Sequence, residues 1–566
     1  MRLYDVRVTS DLRTHEPAAG HTGAPVLMAR PAPETDDRPP LAQRLCPPLP
    51  ADRWGWIAPG VIAFVAGMLR FWRLGVPKDF VFDETYYAKD AWSLLKFGYE
   101  HSWQDKVDHQ ILAGTTNLLG DGPAFVVHPP AGKWVIALGE ALAGFNPLGW
   151  RLMVALLGTI SVLMIARIAR RLTRSTLLGC VAGLLLAFDG LHFVMSRFAL
   201  LDLILMFWIL AAFGLLLIDR DRTRRKLAEL VESGLVESGL VGAVRVGAGR
   251  VGAGRVGADR GRFGPKLGPR PYRIAAGVAL GLATATKWSG LYAIAVFGLM
   301  TFLWDRGARR ALGVRQPTVA AIRFDAVPAF ASVVVTAVAT YLVSWSGWFA
   351  TGGGWDRHWA DGRDSAFSFV PAPVRALWHY HAEMWNFHTH LDTPHQYQSS
   401  PWGWLIIARP VSYYFLNLKQ GENGCQVDKC ASAVLGIGTP VLWWTSVFAL
   451  AYLLFRWLGR RDWRAGAVLG GVAATYLPWF MFTERTIFYF YGVVFVPYLV
   501  LAVTLMIGAL LGDAAATPRR RSAGAAAAGL IVVLVLVNFL WLYPILSAEP
   551  IPFADWNARM WFRSWI

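Results

Sequence analysis

The chain has 566 residues, of which 55% are hydrophobic and only 16% charged, with a mean hydropathy of +0.38. A soluble protein of this length carries more charge, so the surplus apolar residues require lipid as a second solvent. The net charge of +17 does not call for nucleic acid, because basic cytoplasmic loops give a membrane protein the same balance.

In chain order, residues 1–50 are rich in Pro, Arg and Asp and lack an apolar core, which predicts a disordered cytoplasmic tail and no cleavable signal peptide. The first apolar run, 54–72, then serves as an uncleaved signal anchor. Apolar runs predict about eleven spans, near 54–72, 150–169, 176–193, 198–218, 272–286, 288–304, 326–349, 434–456, 465–482, 486–508 and 523–543. FALLDLILMFWILAAFGLLLI (198–218) and AGAAAAGLIVVLVLVNFLWLY (523–543) are each long enough to cross a hydrocarbon core of about 30 Å. The fold class read from this pattern is an all-α polytopic membrane protein. It has an N-terminal membrane part (51–218), a C-terminal one (272–543) and a short tail (544–566). The stretch 219–271, with its VESGL and RVGAG repeats, reads as a disordered basic linker that touches anionic lipid.

Alternate loops read RIARRLTRS (167–175), DRDRTRRK (219–226), WDRGARR (304–310), RWLGRRDWR (456–464) and PRRR (518–521). All five are basic and fall on one side, which the positive-inside rule makes cytoplasmic. The N-terminus is then inside, the C-terminus outside, and two long loops, 74–149 and 350–433, face out. In the first, Ala88, Trp92, Leu95 and Tyr99 recur at helical spacing opposite Lys89, Ser93 and Lys96, which predicts an amphipathic helix in the outer interface.

FVFDETYYAKD (80–90) places Asp83 and Glu84 at the start of that helix. Four cations, Arg151, Arg197, Lys287 and Arg485, lie at outer ends of spans, where the rule predicts few. Singly, each could snorkel or pair with Glu484 or Asp189; as a set beside two carboxylates they suggest a shared anionic ligand. Carboxylate and cations together suit transfer from a lipid phosphate. The cations hold the leaving phosphate, while the carboxylate takes a proton from the incoming nucleophile. Without further information, a helix N-cap with a first-turn acid explains Asp83 and Glu84 equally well.

FDETYYAKDAWSLL (82–95), HPPAGKWVIALGE (128–140), GWRLMVALLG (149–158), SRFALLDLILMF (196–207), ATKWSGLY (285–292), HQYQSSPWGWLI (395–406) and ERTIFYFYGVVFVPYL (484–499) together resemble the protein O-mannosyltransferase family, multi-span enzymes of the GT-C type. The resemblance implies transfer of mannose, with inversion, from polyprenyl-phosphate mannose to Ser or Thr of a translocating protein. It implies that Asp83 is the general base, that Glu84 is its acidic partner and that Arg151 is needed for activity. Lys287 and Arg485 are candidates for the donor phosphate by position and charge, with Tyr489 on the face of Arg485 at i+4. Two departures stand out. The loop 350–433 is too short for the luminal β-domain of fungal and animal members, and the repeat linker has no counterpart in the family core.

The stretch 378–396 holds His379, His381, His388, His390 and His395, but H-x-H spacing does not converge ligands. No metal site is assigned, and a divalent-ion requirement stays open. His395, Tyr397, Ser399 and Trp402 suit the sugar or acceptor. Asp202, inside a span, reads as structural, paired with Arg197 or Arg151. Cys425 and Cys430 predict a disulfide on an oxidising face, with Cys46 and Cys180 free. The composition suits a bacterial plasma-membrane enzyme with an outer-face active site. A lipid or polysaccharide acceptor, or arabinose as the sugar, is the rival reading. A transporter is disfavoured, because no inverted repeat is visible.

Overall fold

The computed structural model describes residues 40–237, 263–512 and 515–566. Of the tail expected at 1–50, residues 1–39 lie outside the described residues, as does 238–262 of the linker expected at 219–271; against the expectation of disorder, Leu41–Leu45 form a short helix with Ala42 and Cys46 buried.

Each of the eleven apolar runs contains a helix. They are α1 (Trp54–Phe71), α4 (Pro147–Thr173), α5 (Thr176–Ala187), α6 (Leu201–Glu237), α7 (Pro271–Thr284), α8 (Gly290–Ala311), α9 (Pro317–Ser344), α11 (Pro440–Arg460), α12 (Trp463–Thr475), α13 (Val496–Leu511) and α14 (Pro518–Leu546). Three further helices of more than ten residues lie in the connecting loops among the described residues: α2 (Glu84–Phe97), α3 (Ala131–Ala143) and α10 (Ala372–Thr389). Six of them, α1, α4, α6, α9, α11 and α14, are long and apolar enough to cross a membrane by themselves. α6 is the most enclosed of the six and α9 the least.

Local sequence sets the helix ends. Asn146 accepts from the Leu148 and Gly149 amides at 3.0 and 3.1 Å and so starts α4, with Pro147 in the first turn. Arg174 ends α4 in the left-handed region, and Ser175 at once caps α5 by accepting from Leu178. Lipid gives apolar helices no hydrophobic reason to associate, so close backbone approach must hold them. Gly179 and Gly183 of α5 supply it, because a Cβ at 179 would stand 2.8 Å from the Ala166 carbonyl of α4. In α9 two π-helical turns, Ile322–Ala326 and Ala331–Val335, flank Pro328, whose missing N–H interrupts the regular bonding pattern.

The all-α expectation needs two corrections. β1 (His101–Trp103) pairs with β2 (Leu119–Pro123), and β3 (Val411–Lys419), β4 (Lys429–Gly436) and β5 (Ile551–Pro552) form an antiparallel sheet in the order β3-β4-β5. The run expected to be helical from 434 therefore opens as a strand, and α11 starts only at Pro440. A short apolar run cannot by its length distinguish a buried strand from a helix. The Cys425–Cys430 disulfide is formed beside the turn joining β3 and β4, and Cys46 and Cys180 are free.

The linker boundary also moves. α6 continues from the apolar run through Glu237, with Leu227 and Ala228 buried and the Glu232 carboxylate accepting from the Leu41 amide. The charges that seemed to end the helix are neutralised by neighbours. Asp221 accepts from Arg171 and Arg174 at 2.8 and 3.2 Å, and Asp219 pairs with Arg270. Arg270 also reaches Asp305 at 2.6 Å, while Arg220 stacks on Trp463. These contacts bring four of the basic loops to one face of the molecule.

Candidate active site

The site grows from the turn before α2. Phe82 has φ +54°, a left-handed conformation that is an outlier for a bulky residue. Its ring is enclosed by Tyr413, Phe490, Phe488 and His395, with centroids 5.4 to 6.2 Å away. The next residue, Asp83, occupies the N-cap position of α2 yet makes no side-chain capping bond. Its carboxylate thus does not cap the helix backbone, and among the described residues its hydrogen bond is a long 3.4 Å one accepted from the Tyr87 hydroxyl one turn on.

Glu84 behaves differently. It is fully buried, and Arg151 donates to both of its oxygens, Nε to Oε1 at 2.8 Å and Nη2 to Oε2 at 2.7 Å. The Ala199 and Val81 amides donate to the same two oxygens. Arg151 spends its remaining donors on the carbonyls of Leu74, Pro77 and Asp79. This pair is a bidentate, fully satisfied lock on the turn that presents Asp83. It leaves Arg151 no donor for a phosphate and Glu84 no role toward a hydroxyl, in contrast to the sequence expectation for both.

The structure resolves the cation set into two kinds. Arg197 is buried and donates to the carbonyls of Leu69, Arg70, Trp72 and Arg73, so it fixes the end of α1. Lys287 and Arg485, in contrast, line one cavity of about 240 Å³. The partner of Asp202 is Lys287, at 2.8 Å, rather than Arg197 or Arg151. Lys287 also lies over the Tyr491 ring, 5.3 Å from its centroid. Burial raises the Asp83 carboxyl to about 6, with Lys287 pulling it down and Asp202 pushing it up. The base candidate and the cation of the cavity are therefore electrostatic neighbours.

Two histidines that the sequence reading left without a role complete the polar lining of the cavity. His388 Nε2 bonds the Val127 carbonyl at 2.7 Å, which makes Nε2 the protonated nitrogen and leaves Nδ1 to accept from Arg485 Nη2 at 3.1 Å. Burial and the adjacent Arg485 push His388 down to about 4. His128 stands beside it, ring centroids 5.2 Å apart, and burial and Lys287 hold it well below the ordinary histidine range. The lining also includes apolar side chains, among them Leu291, Pro478, Trp479 and Phe482. Trp288 in this wall donates to the Tyr341 hydroxyl at 3.1 Å, Tyr341 donates to His381 Nε2 at 2.6 Å, and His381 Nδ1 donates to the Leu377 carbonyl at 2.7 Å.

The expected i+4 pairing of Tyr489 with Arg485 does not occur, because residue 488 is extended and bridges Gln398. Tyr489 is buried against Trp443, its oxygen accepting from the Gly438 amide, and Tyr491 takes the place at the cavity. His395 and Tyr397 stand on the Phe82 side of the site, whereas Trp402 is 77% exposed and touches Phe480 by its edge. Of the histidines of 378–396, His381 and His388 both pack on Trp288, while His379 stacks on Trp359 and His390 bonds the Asn386 carbonyl one turn back.

Comparison with known proteins bears on this geometry. The family model described as dolichyl-phosphate-mannose-protein mannosyltransferase matches residues 60–244, and that of the C-terminal four TMM region of protein-O-mannosyltransferase matches 373–565. The chain is 38% identical over 565 residues to the polyprenol-phosphate-mannose–protein mannosyltransferase of Mycolicibacterium smegmatis, covering 98% of this chain and 99% of the relative. It is 33% identical over 91% of its length to the enzyme of that name from Corynebacterium glutamicum, covering 94% of the relative. In fold it is similar to a chain of the S. cerevisiae protein O-mannosyltransferase Pmt1-Pmt2 complex bound to the sugar donor. The TM-score is 0.63 at 14% identity, over 91% of this chain and 93% of that one. Two family matches that flank the central segment, and relatives aligned over nearly the whole length, establish that the chain belongs to the protein O-mannosyltransferase family.

Proposed function

We propose that this chain transfers mannose from polyprenyl-phosphate mannose to Ser or Thr hydroxyls of secreted or membrane proteins. The observation that carries the reading is one cavity whose lining combines the cations Lys287 and Arg485 with apolar side chains, with an ionisable Asp83 as an electrostatic neighbour of Lys287. The cations suit the phosphate and the apolar lining suits the isoprenoid. The acceptor oxygen attacks C1 of mannose as Asp83 takes its proton. The C1–O bond to phosphate breaks, and polyprenyl phosphate leaves with the bonding electrons. Attack opposite the leaving group turns a β-linkage into an α-linkage. Phosphate needs no proton in order to leave, so one carboxylate suffices. Glu84 and Arg151 act as positioning residues. His388 orients Arg485 while staying neutral.

The eleven helical segments are read as eleven spans, with the basic face cytoplasmic by the positive-inside rule and the active site on the outer face of the plasma membrane. Support comes from the mutual contacts of the basic loops, and from residues 551–552, which extend the sheet of the loop 350–433 and so put the C-terminal tail beside that loop.

The test is mannose transfer by purified enzyme in lipid, from labelled polyprenyl-phosphate mannose to a Thr- and Pro-rich peptide, beside Asp83→Asn. Labelled peptide with wild type and none with the variant is the expected result. Donor binding without peptide labelling would overturn the acceptor assignment and favour a lipid or polysaccharide acceptor.

A further inference from the structure

The last six residues are bound to the loop that flanks Asp83. Trp565 is buried, and its Nε1 donates to the Ile407 carbonyl at 2.8 Å. Ile407 has φ +59° and is fully buried, a conformation a β-branched residue adopts only where its surroundings enforce it. Two positions on, Arg409 ties together separate pieces of chain. Its Nη1 donates to the carbonyls of Ser564 and Ile566 at 2.7 and 3.0 Å, its Nε and Nη2 to that of Gln396 at 3.2 and 3.0 Å. The guanidinium also covers the Tyr397 ring, 5.3 Å from its centroid.

From Tyr397 the contacts lead to the site. Its amide donates to His395 Nδ1 at 3.1 Å, and His395 meets the edge of Phe82 with centroids 6.2 Å apart. Phe82 is the left-handed residue immediately before Asp83. That conformation persists only if the rings around it hold it; of these, His395 belongs to the 395–409 loop and Phe488 is bridged to Gln398 within it.

We propose that Trp565 and Arg409 are positioning residues for the transfer reaction, residues 561–566 clamping the loop 395–409 and, through His395 and Phe82, the direction of Asp83. The proposal rests on the mannosyl transfer proposed above. Among the described residues, 561–566 and Arg409 themselves touch none of the cavity lining, whereas Trp404 of the clamped loop meets Trp479 and Tyr491 with ring centroids 5.8 and 6.3 Å apart; the clamp acts chiefly on the base, through His395 and Phe82, and only secondarily on the apolar lining.

The experiment compares Trp565→Ala, Arg409→Ala and the milder Trp565→Phe with wild type in the full chain. It measures kcat for peptide mannosylation, donor Kd, and amide hydrogen exchange by mass spectrometry. Trp565→Ala and Arg409→Ala are expected to lower kcat about tenfold or more, with donor Kd within about twofold of wild type. Exchange should rise at 395–398 and 80–84 and stay unchanged at 287–292, and Trp565→Phe, which keeps the ring without the N–H, should fall between. Unchanged exchange at 80–84, or donor affinity falling in step with kcat, overturns the proposal. A wild type that binds donor but labels no peptide refutes the reaction instead, and the exchange data still decide the clamp.

Discussion

Two charged regions of the molecule differ in how completely their charges are paired. On the basic face, buried Arg270 divides its donors between Asp219 and Asp305, and Arg309 clasps Asp325 with Nε at 2.7 Å and Nη2 at 3.0 Å. At the cavity, Arg485 faces only a neutral histidine among its described partners, Lys287 has a single carboxylate, and Asp83 has one long bond from a tyrosine. Both regions are rich in arginine and aspartate, so composition does not separate them. Unspent hydrogen-bonding capacity does. Paired charges there stabilise helix ends, and the unspent ones are free to meet a ligand.

The contrast can be broken most forcefully at Asp83. Asp83→Asn should lower kcat by about 10²- to 10⁴-fold with donor binding retained, and a loss of donor affinity on the same scale would remove Asp83 from the chemistry. Cutting a paired charge should instead cost stability. Arg151→Met leaves Glu84 buried without its partner, at a cost of about 3–5 kcal/mol, seen as a fall in thermal unfolding temperature in detergent. Arg309→Met should lose stability similarly, and its molecules that remain folded should keep wild-type kcat, whereas those of Arg151→Met, with the turn before Asp83 unlocked, should be slower. The reverse holds for Arg485→Ala, which should weaken donor affinity about 10- to 100-fold by removing a charge-assisted contact, with little change in unfolding temperature. The smallest effect is in the pH profile. Asp83 must be ionised to accept a proton and burial raises it to about 6, so kcat/KM should fall as pH drops through 6. Tyr87→Phe removes a bond that lowers the Asp83 pKa, so it should move that limb to higher pH; a limb that stays put would mean another group titrates.

Much of this was legible in the sequence, for reasons that differ by residue. Apolar runs locate eleven helical segments, six of them long and apolar enough to cross a membrane, because lipid imposes length and hydrophobicity directly. The acidic pair Asp83–Glu84 and the cations Arg151, Arg197, Lys287 and Arg485 stood out together because charge beside a bilayer is costly, and the pairing of Cys425 with Cys430 followed from their shared loop. What escaped depended on contacts between distant segments. Nothing local separates Glu84 from Asp83; only Arg151, 67 positions away, makes one structural and leaves the other open. Asp202 was matched to Arg197 or Arg151, while its partner, Lys287, lies 85 positions on. Tyr489 was placed by helical spacing where the backbone is extended, and the continuation of α6 was hidden by charges whose partners lie on other helices.

The bonds from Trp288 through Tyr341 and His381 to Leu377 all point one way. Tyr341 both gives and takes at one oxygen, and His381 gives at one ring nitrogen while taking at the other, so no proton in the row can be turned round by itself. Protonating His381 would set two donors against each other at the Tyr341 link. Acidification would then loosen the cavity wall at a point separate from Asp83, and a second, steeper loss of transfer at lower pH would be the mark of that mismatch.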